Sequence, residues 1–463
     1  MSYQISTEQF RSGKMFDSKG KFYHKSGNRF KLFPFVTQPN SEPVLELEPL
    51  VGTFLCMLED KTAKAITASE LSALLRKDTD IEAGREELFN DMIRQLFFNP
   101  DGTVRPLNLE LLEQVISNET SENRIAEYLV DVLGEKAILN AEVVKAKQKA
   151  LTTSNVLEKL VLSKLQYEQK SSEDRELSYF RITNSLKGAF EEDFAYLLEN
   201  PKRAREDLVS LLELYFFTYT SQASLQLNRF LDGERDENIP LYYCLEWEKT
   251  SQSRRCFTEG WPKLQSAIEK IFAHVVVLEI LNQTEPGSEL VDYIRIAEMS
   301  QTDTADMELG MQIDEITACY RAAITDCPEM NVLPKETTSQ GYAADAIKYL
   351  FDSVRIQFEN TVRERAYKSY ANKFESYCHK FLKSRGRSGM MLNLTEETLI
   401  FVTKLCIKNQ EQMRLKDVFK AFEKRGIFLD SLSKEQVANY YEKLNLIEKK
   451  SDSGDAKYVK RIL

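Results

Sequence analysis

Glycine and proline are scarce in this chain. Together they supply 29 of the 463 residues, about 6%, whereas globular proteins average about 12%. Because these residues provide most tight turns and breaks, a chain with few of them is built from long elements. Long elements in a composition with 42% apolar and 29% charged residues are typical of helices. We therefore predict a mainly α fold, in a chain long enough for about three domains.

Charge and cysteine usage narrow the classes of function. The net charge of −10 argues against a surface wrapped in nucleic acid, so any DNA contact must come from a local patch. The seven cysteines include no CxxC pair, which argues against a zinc ribbon and a redox motif. Their odd number argues against a secreted disulfide framework. Residues 1–14 lack an apolar signal segment, and the apolar run Ile271–Leu281 is too short to span a bilayer. We expect a cytoplasmic protein without a membrane partner.

Residues 1–45 are predicted to form an N-terminal arm rich in basic and aromatic residues. Between Arg11 and Phe35, seven lysines or arginines are interleaved with six aromatic residues and one acid. Repeated turn signals predict a small irregular or hairpin element. The composition suits phosphate contact and base stacking, and the candidate DNA-binding residues are Lys21, Lys25, Arg29 and Lys31. The alternative is an arm whose aromatic side chains pack on the next domain.

Residues 46–385 are predicted to form a multi-helical body. Thr67 and Glu70 have the spacing of a capping box, in which both side chains satisfy free amides at a helix start. Asn200-Pro201 opens another helix, with proline in the first turn, where its missing amide costs nothing. The aromatic, apolar run 238–247 interrupts the helical pattern, and we interpret it as a short extended insertion.

The clearest predicted module is a winged helix-turn-helix at residues 391–463, after a basic linker at 380–389. Its pattern is three helices followed by a two-stranded hairpin. Helix one covers 395–409. Helix two covers 415–425, is stopped by Gly426, and precedes a predicted capping box at Ser433 to Gln436 that starts helix three.

Two functions remain open for this module. In the first it binds DNA, with helix three in a groove and the hairpin on phosphates. The candidate residues are Lys434, Gln436, Asn439, Tyr440 and Lys443 on the helix, and Lys449, Lys450 and Lys457 on the hairpin. An excess of four basic over acidic residues in 413–463 supports this function. In the second, the module docks on a partner protein.

No catalytic signature stands out in the sequence. The segment Gly13–Phe22 lacks the glycine spacing and the Ser/Thr of a phosphate-binding loop. Glu246 and Glu248 beside Lys249 suggest a metal-dependent nuclease, but the acid-x-lysine spacing is not met. The three histidines are scattered, and His274 in its apolar segment is interpreted as a core residue. We predict no catalytic residues, no bound metal and no cofactor.

Three further segments are distinctive: His24–Phe35, Pro240–Arg254 with Gly260-Trp261, and Lys450–Val459. Together they resemble the DptG family, the DNA phosphorothioation-dependent restriction proteins G of bacterial Dnd systems. The resemblance implies a non-catalytic subunit of an antiviral restriction complex, acting as a scaffold or DNA-contacting component. Its implied partners are DptF-like and DptH-like ATP-using subunits, with double-stranded DNA as a further possible partner. The resemblance transfers no active-site residue to this sequence.

Two other functions stay open at this point. The module at 391–463 alone is compatible with a stand-alone winged-helix DNA-binding regulator. A metal-dependent nuclease acting through Glu246 and Glu248 is the less favoured alternative.

Overall fold

The computed structural model describes residues 3–12, 15–16, 22–24, 27–37, 47–115, 120–170, 177–386, 389–449 and 457–462. This part of the chain is mainly helical, as the sequence predicts. The chain divides into two compact units. Unit 1 comprises residues 1–43, 179–186 and 217–463, and unit 2 comprises residues 44–178 and 187–216. Among the described helices, none combines the length and the apolar composition that a membrane span requires.

The described part of the chain contains helices and short strands. Up to residue 227 the helices are α1 (Thr7–Ser12), α2 (Leu47–Leu58), α3 (Ala68–Leu75), α4 (Glu86–Phe97), α5 (Leu109–Glu113), α6 (Thr120–Val132), α7 (Lys136–Thr153), α8 (Val156–Leu162), α9 (Lys187–Leu198) and α10 (Pro201–Leu227). Later helices are α11 (Arg255–Thr258), α12 (Trp261–Ile268), α13 (Ile271–Leu281), α14 (Tyr293–Met299), α15 (Asp303–Ala323), α16 (Tyr342–Glu359), α17 (Glu364–Tyr377), α18 (Glu396–Ile407), α19 (Leu415–Glu423) and α20 (Ser431–Lys443). The strands are β1 (Lys61–Ala63), β2 (Tyr167–Gln169), β3 (Tyr242–Leu245), β4 (Leu382–Ser384), β5 (Met390–Leu394), β6 (Gln412–Arg414), β7 (Phe428–Leu429), β8 (Ile447–Lys449) and β9 (Lys457–Lys460).

Unit 2 is held together by an apolar core between its helices. Leu71, Ile93 and Val161 bring α3, α4 and α8 together in this core. The predicted capping box at the start of α3 is confirmed. The Thr67 hydroxyl accepts from the Glu70 amide, and the Glu70 carboxylate accepts from the Thr67 amide. Local sequence therefore determines where this helix begins.

A network of paired charges lies inside unit 2. The fully buried carboxylate of Glu113 accepts hydrogen bonds from Lys147 and, at 2.9 Å, from Tyr167. Glu113 also pairs with Lys61, and Glu59 pairs with both lysines. Burial by itself raises the pKa of Glu59, but the Lys147 ammonium outweighs it and lowers that pKa to about 2. Each buried charge thus has an opposite charge beside it, which offsets its desolvation.

The centre of unit 1 is α13, whose side chains are all buried. Helices α16 and α17 pack on α13, and α15 packs on α16. The predicted core position of His274 on α13 is confirmed, because its side chain is fully buried and its Nδ1 lies 3.0 Å from the Tyr293 hydroxyl. Burial lowers the pKa of His274 to about 3, so this residue is neutral in the folded protein.

A mixed four-stranded sheet, in the order β4-β5-β3-β7, also lies in unit 1. Strand β3 is parallel to both β5 and β7, and β4 is antiparallel to β5. All four residues of β3 are buried, within the run interpreted as an extended insertion. The linker prediction at 380–389 is wrong in part, because Leu382–Ser384 pairs with Met390–Leu394 as a β-hairpin instead of forming a free connection.

Candidate nucleic-acid interface

The C-terminal residues combine three helices with a small sheet. The order along the chain is α18, β6, α19, β7, α20, β8 and β9. Strand β9 pairs antiparallel with both β6 and β8, and Val459 faces Met413 on one side and Ile447 on the other. The predicted hairpin is therefore present as β8 and β9, and β6 adds a third strand that the sequence did not reveal. We call α18 to β9 the C-terminal module.

The first turn of α20 is capped differently from the prediction. The cap is Asp430, whose carboxylate accepts a hydrogen bond of 2.9 Å from the Ser433 amide. The prediction that Ser433 itself caps the helix is wrong, because Ser433 lies inside the first turn and is fully buried. Its hydroxyl donates instead to the Glu248 carboxylate, at 2.9 Å. The helix start is thus set by a contact between segments far apart in the chain.

Arg254 connects the start of α20 with the loop that follows β3. Its Nη2 and Nε lie 2.6 Å and 3.1 Å from the two carboxylate oxygens of Asp430. Nη2 also donates to the Ser433 hydroxyl at 2.9 Å, and it lies 3.4 Å from the Glu248 carboxylate. Burial raises the pKa of Asp430, but the hydrogen bonds from Arg254 outweigh this and lower it. Arg254 therefore fixes the start of α20 to the loop that follows β3.

The two acids considered for a nuclease site have separate partners. Glu248 is buried, and its carboxylate accepts from Ser433 and from the Leu245 amide at 2.9 Å. Glu246 pairs instead with Lys383 at 2.9 Å. Among the residues that the structure describes, no group of three or more His, Cys, Asp or Glu side chains is placed to hold a metal ion. The arrangement thus gives Glu248 a role in holding α20.

Several of the candidate DNA-binding side chains already contact neighbouring acids. Lys434 pairs with Glu423 at 3.0 Å, and Lys457 pairs with Glu442 at 3.0 Å. The Tyr440 hydroxyl donates to Glu396 at 2.9 Å, and its ring lies 4.7 Å from the ring of Trp247. These contacts orient the side chains within the module and reduce what they offer to a ligand.

The remaining candidates of the module lie on α20 near acids, on β8 or outside the described residues. Gln436 is half-buried, whereas Asn439 and Lys443 are exposed. The face of α20 that carries Asn439 and Lys443 also exposes Leu432, Glu435 and Glu442. Lys449 belongs to β8, and Lys450 lies outside the described residues. An exposed face with two acids and one lysine is poorly suited to enter a DNA groove, because DNA is polyanionic.

A row of exposed lysines lies on α19 and its C-terminal end instead. Lys416, Lys420 and Lys424 are spaced by four residues, so they lie along one side of the helix. Arg414 is exposed just before the helix. Lys420 lies 3.5 Å from Asp417, and within the described parts of the chain Lys416 and Lys424 have no ion-pair partner. We call Lys416, Lys420 and Lys424 the lysine row; its i, i+4, i+8 spacing was visible in the sequence.

The N-terminal arm is folded against the rest of unit 1. Its aromatic residues Phe10, Phe22 and Phe30 are buried, which agrees with the packing alternative. Of the candidate DNA-binding residues, Arg29 donates to the carbonyls of Asn282 and Thr284. The ammonium of Lys31 lies 4.1 Å from the centre of the Tyr179 ring. Lys21 and Lys25 lie outside the described residues. The described cations of the arm therefore serve internal contacts.

Comparison with known proteins adds no assignment. No model of a known protein family matches the chain, and no curated protein matches it in sequence.

Proposed function

We propose that this protein is a non-catalytic subunit of a phosphorothioation-dependent DNA restriction complex. The resemblance of its three segments to the DptG family supports this role. In this proposal the C-terminal module is a winged helix, since a three-helix set followed by a β-hairpin is the element order of that fold. ATP-using companions of the DptF and DptH kinds supply the energy, and this chain supports them and contacts DNA.

The lysine row is the observation that carries the DNA contact. Lys416, Lys420 and Lys424 expose three positive charges along about 12 Å of one helix side, at 1.5 Å per residue. On α20, Lys434 and Tyr440 are already engaged, and Lys443 is exposed on a face that also carries Glu435 and Glu442. Lysines on a helix side contact phosphates without reading base edges. We therefore expect binding that depends on salt and hardly on sequence.

The test replaces all three lysines of the row by glutamine, which removes charge and keeps helix propensity. Binding of a DNA duplex to the full-length protein is measured at several salt concentrations. We expect weaker binding and a salt slope reduced by about 0.9 for each lysine that contacts phosphate. The control carries the same change at Lys335, Lys348 and Lys368, which are exposed elsewhere in unit 1 and each pair with an acid. An unchanged affinity and slope in the lysine-row variant would overturn the DNA contact.

Membership in a complex is tested separately. The tagged protein is purified gently from its native host, and the proteins that accompany it are identified. Recovery with an ATPase and a helicase-like protein supports the subunit role. Recovery alone with bound DNA favours the stand-alone regulator. Cleavage of a plasmid by the purified protein with magnesium or manganese, lost in Glu246→Gln but not in Glu285→Gln, would favour the nuclease.

A second function of the module is supported by the exposed face of α20. Leu432 is 55% exposed on the face of α20 that also exposes Glu435, Glu442 and Lys443. An apolar anchor with two acids and one lysine around it suits a protein surface better than DNA. If α20 docks on a companion, Leu432→Asp releases that companion from the complex, whereas the lysine-row variant retains it.

A further inference from the structure

A cavity of about 560 Å³ lies between α3, α4 and the turn that follows α4 in unit 2. This volume is within the range of small-molecule binding sites. The first turn of α3 forms one wall, and the turn that is closed by the antiparallel bridge between Phe98 and Val104 forms another. The same elements carry Leu71, Ile93 and Val104 of the unit 2 core, so packing fixes the walls. We call this site the α3–α4 cavity.

Two polar atoms at the α3–α4 cavity are buried without a hydrogen-bond partner in the described structure. They are the Ser72 hydroxyl on α3 and the Oδ1 of Asn90 on α4, and both residues line the cavity. Ser72 is only 1% exposed. A buried polar atom without a partner is costly and rare in native proteins, because it has given up its hydration for nothing. A polar ligand in the cavity would supply both missing partners.

Arg105 presents a guanidinium without a counter-ion at the same cavity. The residue is half-buried, and its backbone is fixed on both sides. Its amide donates to the Phe97 carbonyl and its carbonyl accepts from the Leu107 amide, both at 2.8 Å. Within the described residues its guanidinium has neither a hydrogen bond nor an ion pair. Such a group is available to an anion, with which it can form two parallel hydrogen bonds.

A second arginine adds positive charge to the cavity. Arg94 and Arg105 both line it, and none of its described lining residues is acidic. Arg94 lies 3.4 Å from Asp91, and both of these side chains are more than half exposed. Ion pairs between exposed side chains contribute little to stability, so Arg94 can exchange Asp91 for a ligand.

The other acids near the cavity are directed elsewhere. Glu70 is in the first turn of α3, but it lines a different cavity on the opposite side of that helix. Asp101 accepts hydrogen bonds within its own turn and does not line the α3–α4 cavity. The first turn of α3 also brings the backbone amides of Ala68 and Ser69, which have no acceptor in the described part of the chain. Free amides at a helix start favour negative charge.

We propose that the α3–α4 cavity binds a phosphate monoester. The three terminal oxygens of such a group carry up to two negative charges, which match Arg94, Arg105 and the first turn of α3. A carboxylate carries a single charge on two oxygens, so it satisfies fewer of these donors. The Ser72 hydroxyl donates to the phosphate, and Asn90 accepts from a hydroxyl or amine on the body of the ligand.

Two sources can supply this group. One is a small molecule such as a nucleoside monophosphate, and the other is the 5′ end of a nucleic-acid strand. Both present the same phosphate chemistry to the cavity. The proposal does not rest on the restriction-complex role, since the cavity belongs to unit 2 and the C-terminal module to unit 1.

The test uses the full-length protein and two pairs of probes. The first pair is adenosine 5′-monophosphate and adenosine, and the second is a short single DNA strand with and without a 5′-phosphate. Calorimetric titration at fixed ionic strength measures each affinity. We expect the phosphorylated member of at least one pair to bind at least about tenfold more tightly than its counterpart. A preference in the first pair alone identifies a small ligand, and a preference in the second alone identifies a strand end. Equal binding within both pairs, or no binding, would overturn the proposal.

Two variants connect the binding to the cavity. Arg105→Gln should weaken binding of the preferred probe at least about tenfold. Ser72→Ala should weaken it about threefold or more, but should leave the urea midpoint equal or higher, because the hydroxyl has no partner in the free protein. The two effects separate a ligand contact from a structural role.

The matched control is Arg76→Gln, since Arg76 is an exposed arginine at the end of α3 and does not line the cavity. It should change the affinity less than about twofold. Equal losses in Arg105→Gln and Arg76→Gln would show a general effect of charge and reject the site. Wild-type binding in both cavity variants, or a loss of stability that accompanies the loss of binding in Ser72→Ala, would also count against it.

Discussion

Arg254 and Asp430 are 176 residues apart in the chain, and their side chains form a two-point ion pair at 2.6 Å and 3.1 Å. Both side chains are about 90% or more buried, and Ser433 and Glu248 complete their hydrogen bonds. Asp430 also caps α20. One pair therefore sets the start of a C-terminal helix from a loop in the middle of the chain.

We expect Arg254→Gln to destabilise unit 1 strongly. Removing the guanidinium leaves Asp430 and Glu248 as two buried carboxylates without a cation, which costs about 3–5 kcal/mol. Denaturant unfolding followed by tryptophan fluorescence measures the loss, because Trp247 packs on Tyr440 of α20. The neighbouring exposed pair Arg255 with Glu259, at 2.7 Å, provides the control. Arg255→Gln should cost no more than about 1 kcal/mol, and equal losses would contradict this account.

Local signals in the sequence predicted local structure well. The capping box at Thr67 and Glu70 is formed, and α19 ends before Gly426, whose φ of +76° suits glycine. The mainly helical fold was predicted from the scarcity of glycine and proline. That prediction also used local signals, because these residues interrupt helices at their own positions. Helices cover 396–407 and 415–423, within the predicted ranges 395–409 and 415–425.

Structure that depends on distant partners was not predicted. Strands β6 and β7 contain three and two residues, too few for a periodic pattern, and pairing with β9 and β3 makes them strands. Ser433 carries a capping signature, yet Glu248, 185 residues away, takes its hydroxyl. The candidate lysines were chosen by position on a helix, whereas their availability depends on acids such as Glu423 in neighbouring elements.

Glu279 should control how firmly the N-terminal arm is held. Its fully buried carboxylate accepts backbone hydrogen bonds from Gly27, Asn28, Arg29 and Phe30, at 2.9–3.2 Å. Glutamine has one oxygen fewer and places an amide against these donors, so we expect Glu279→Gln to cost about 2–4 kcal/mol. Limited proteolysis should then cut the arm sooner than in wild type. Glu285→Gln, an exposed position in the same unit, should leave the cleavage rate unchanged.

His274 and His24 should make the protein sensitive to mild acid. Burial lowers the pKa of both histidines to about 3, with Arg363 adding to the effect at His24. In the unfolded chain each titrates near pH 6.5, so between pH 6.5 and 3 the unfolded state binds more protons than the folded state. The contribution of each histidine to the free energy of unfolding is therefore complete above about pH 6.5. It falls by about 1.4 kcal/mol for each pH unit below that value.

The Nε2 of His274 is buried without a hydrogen-bond partner in the described structure, so a proton there would have no acceptor. We expect His274→Gln to halve the decline of the urea midpoint between pH 7 and pH 5, where most carboxylates stay ionised. His379→Gln, at the exposed histidine, should leave the decline as it is in wild type. A His274→Gln protein with the wild-type decline would show that the buried ring does not govern acid sensitivity.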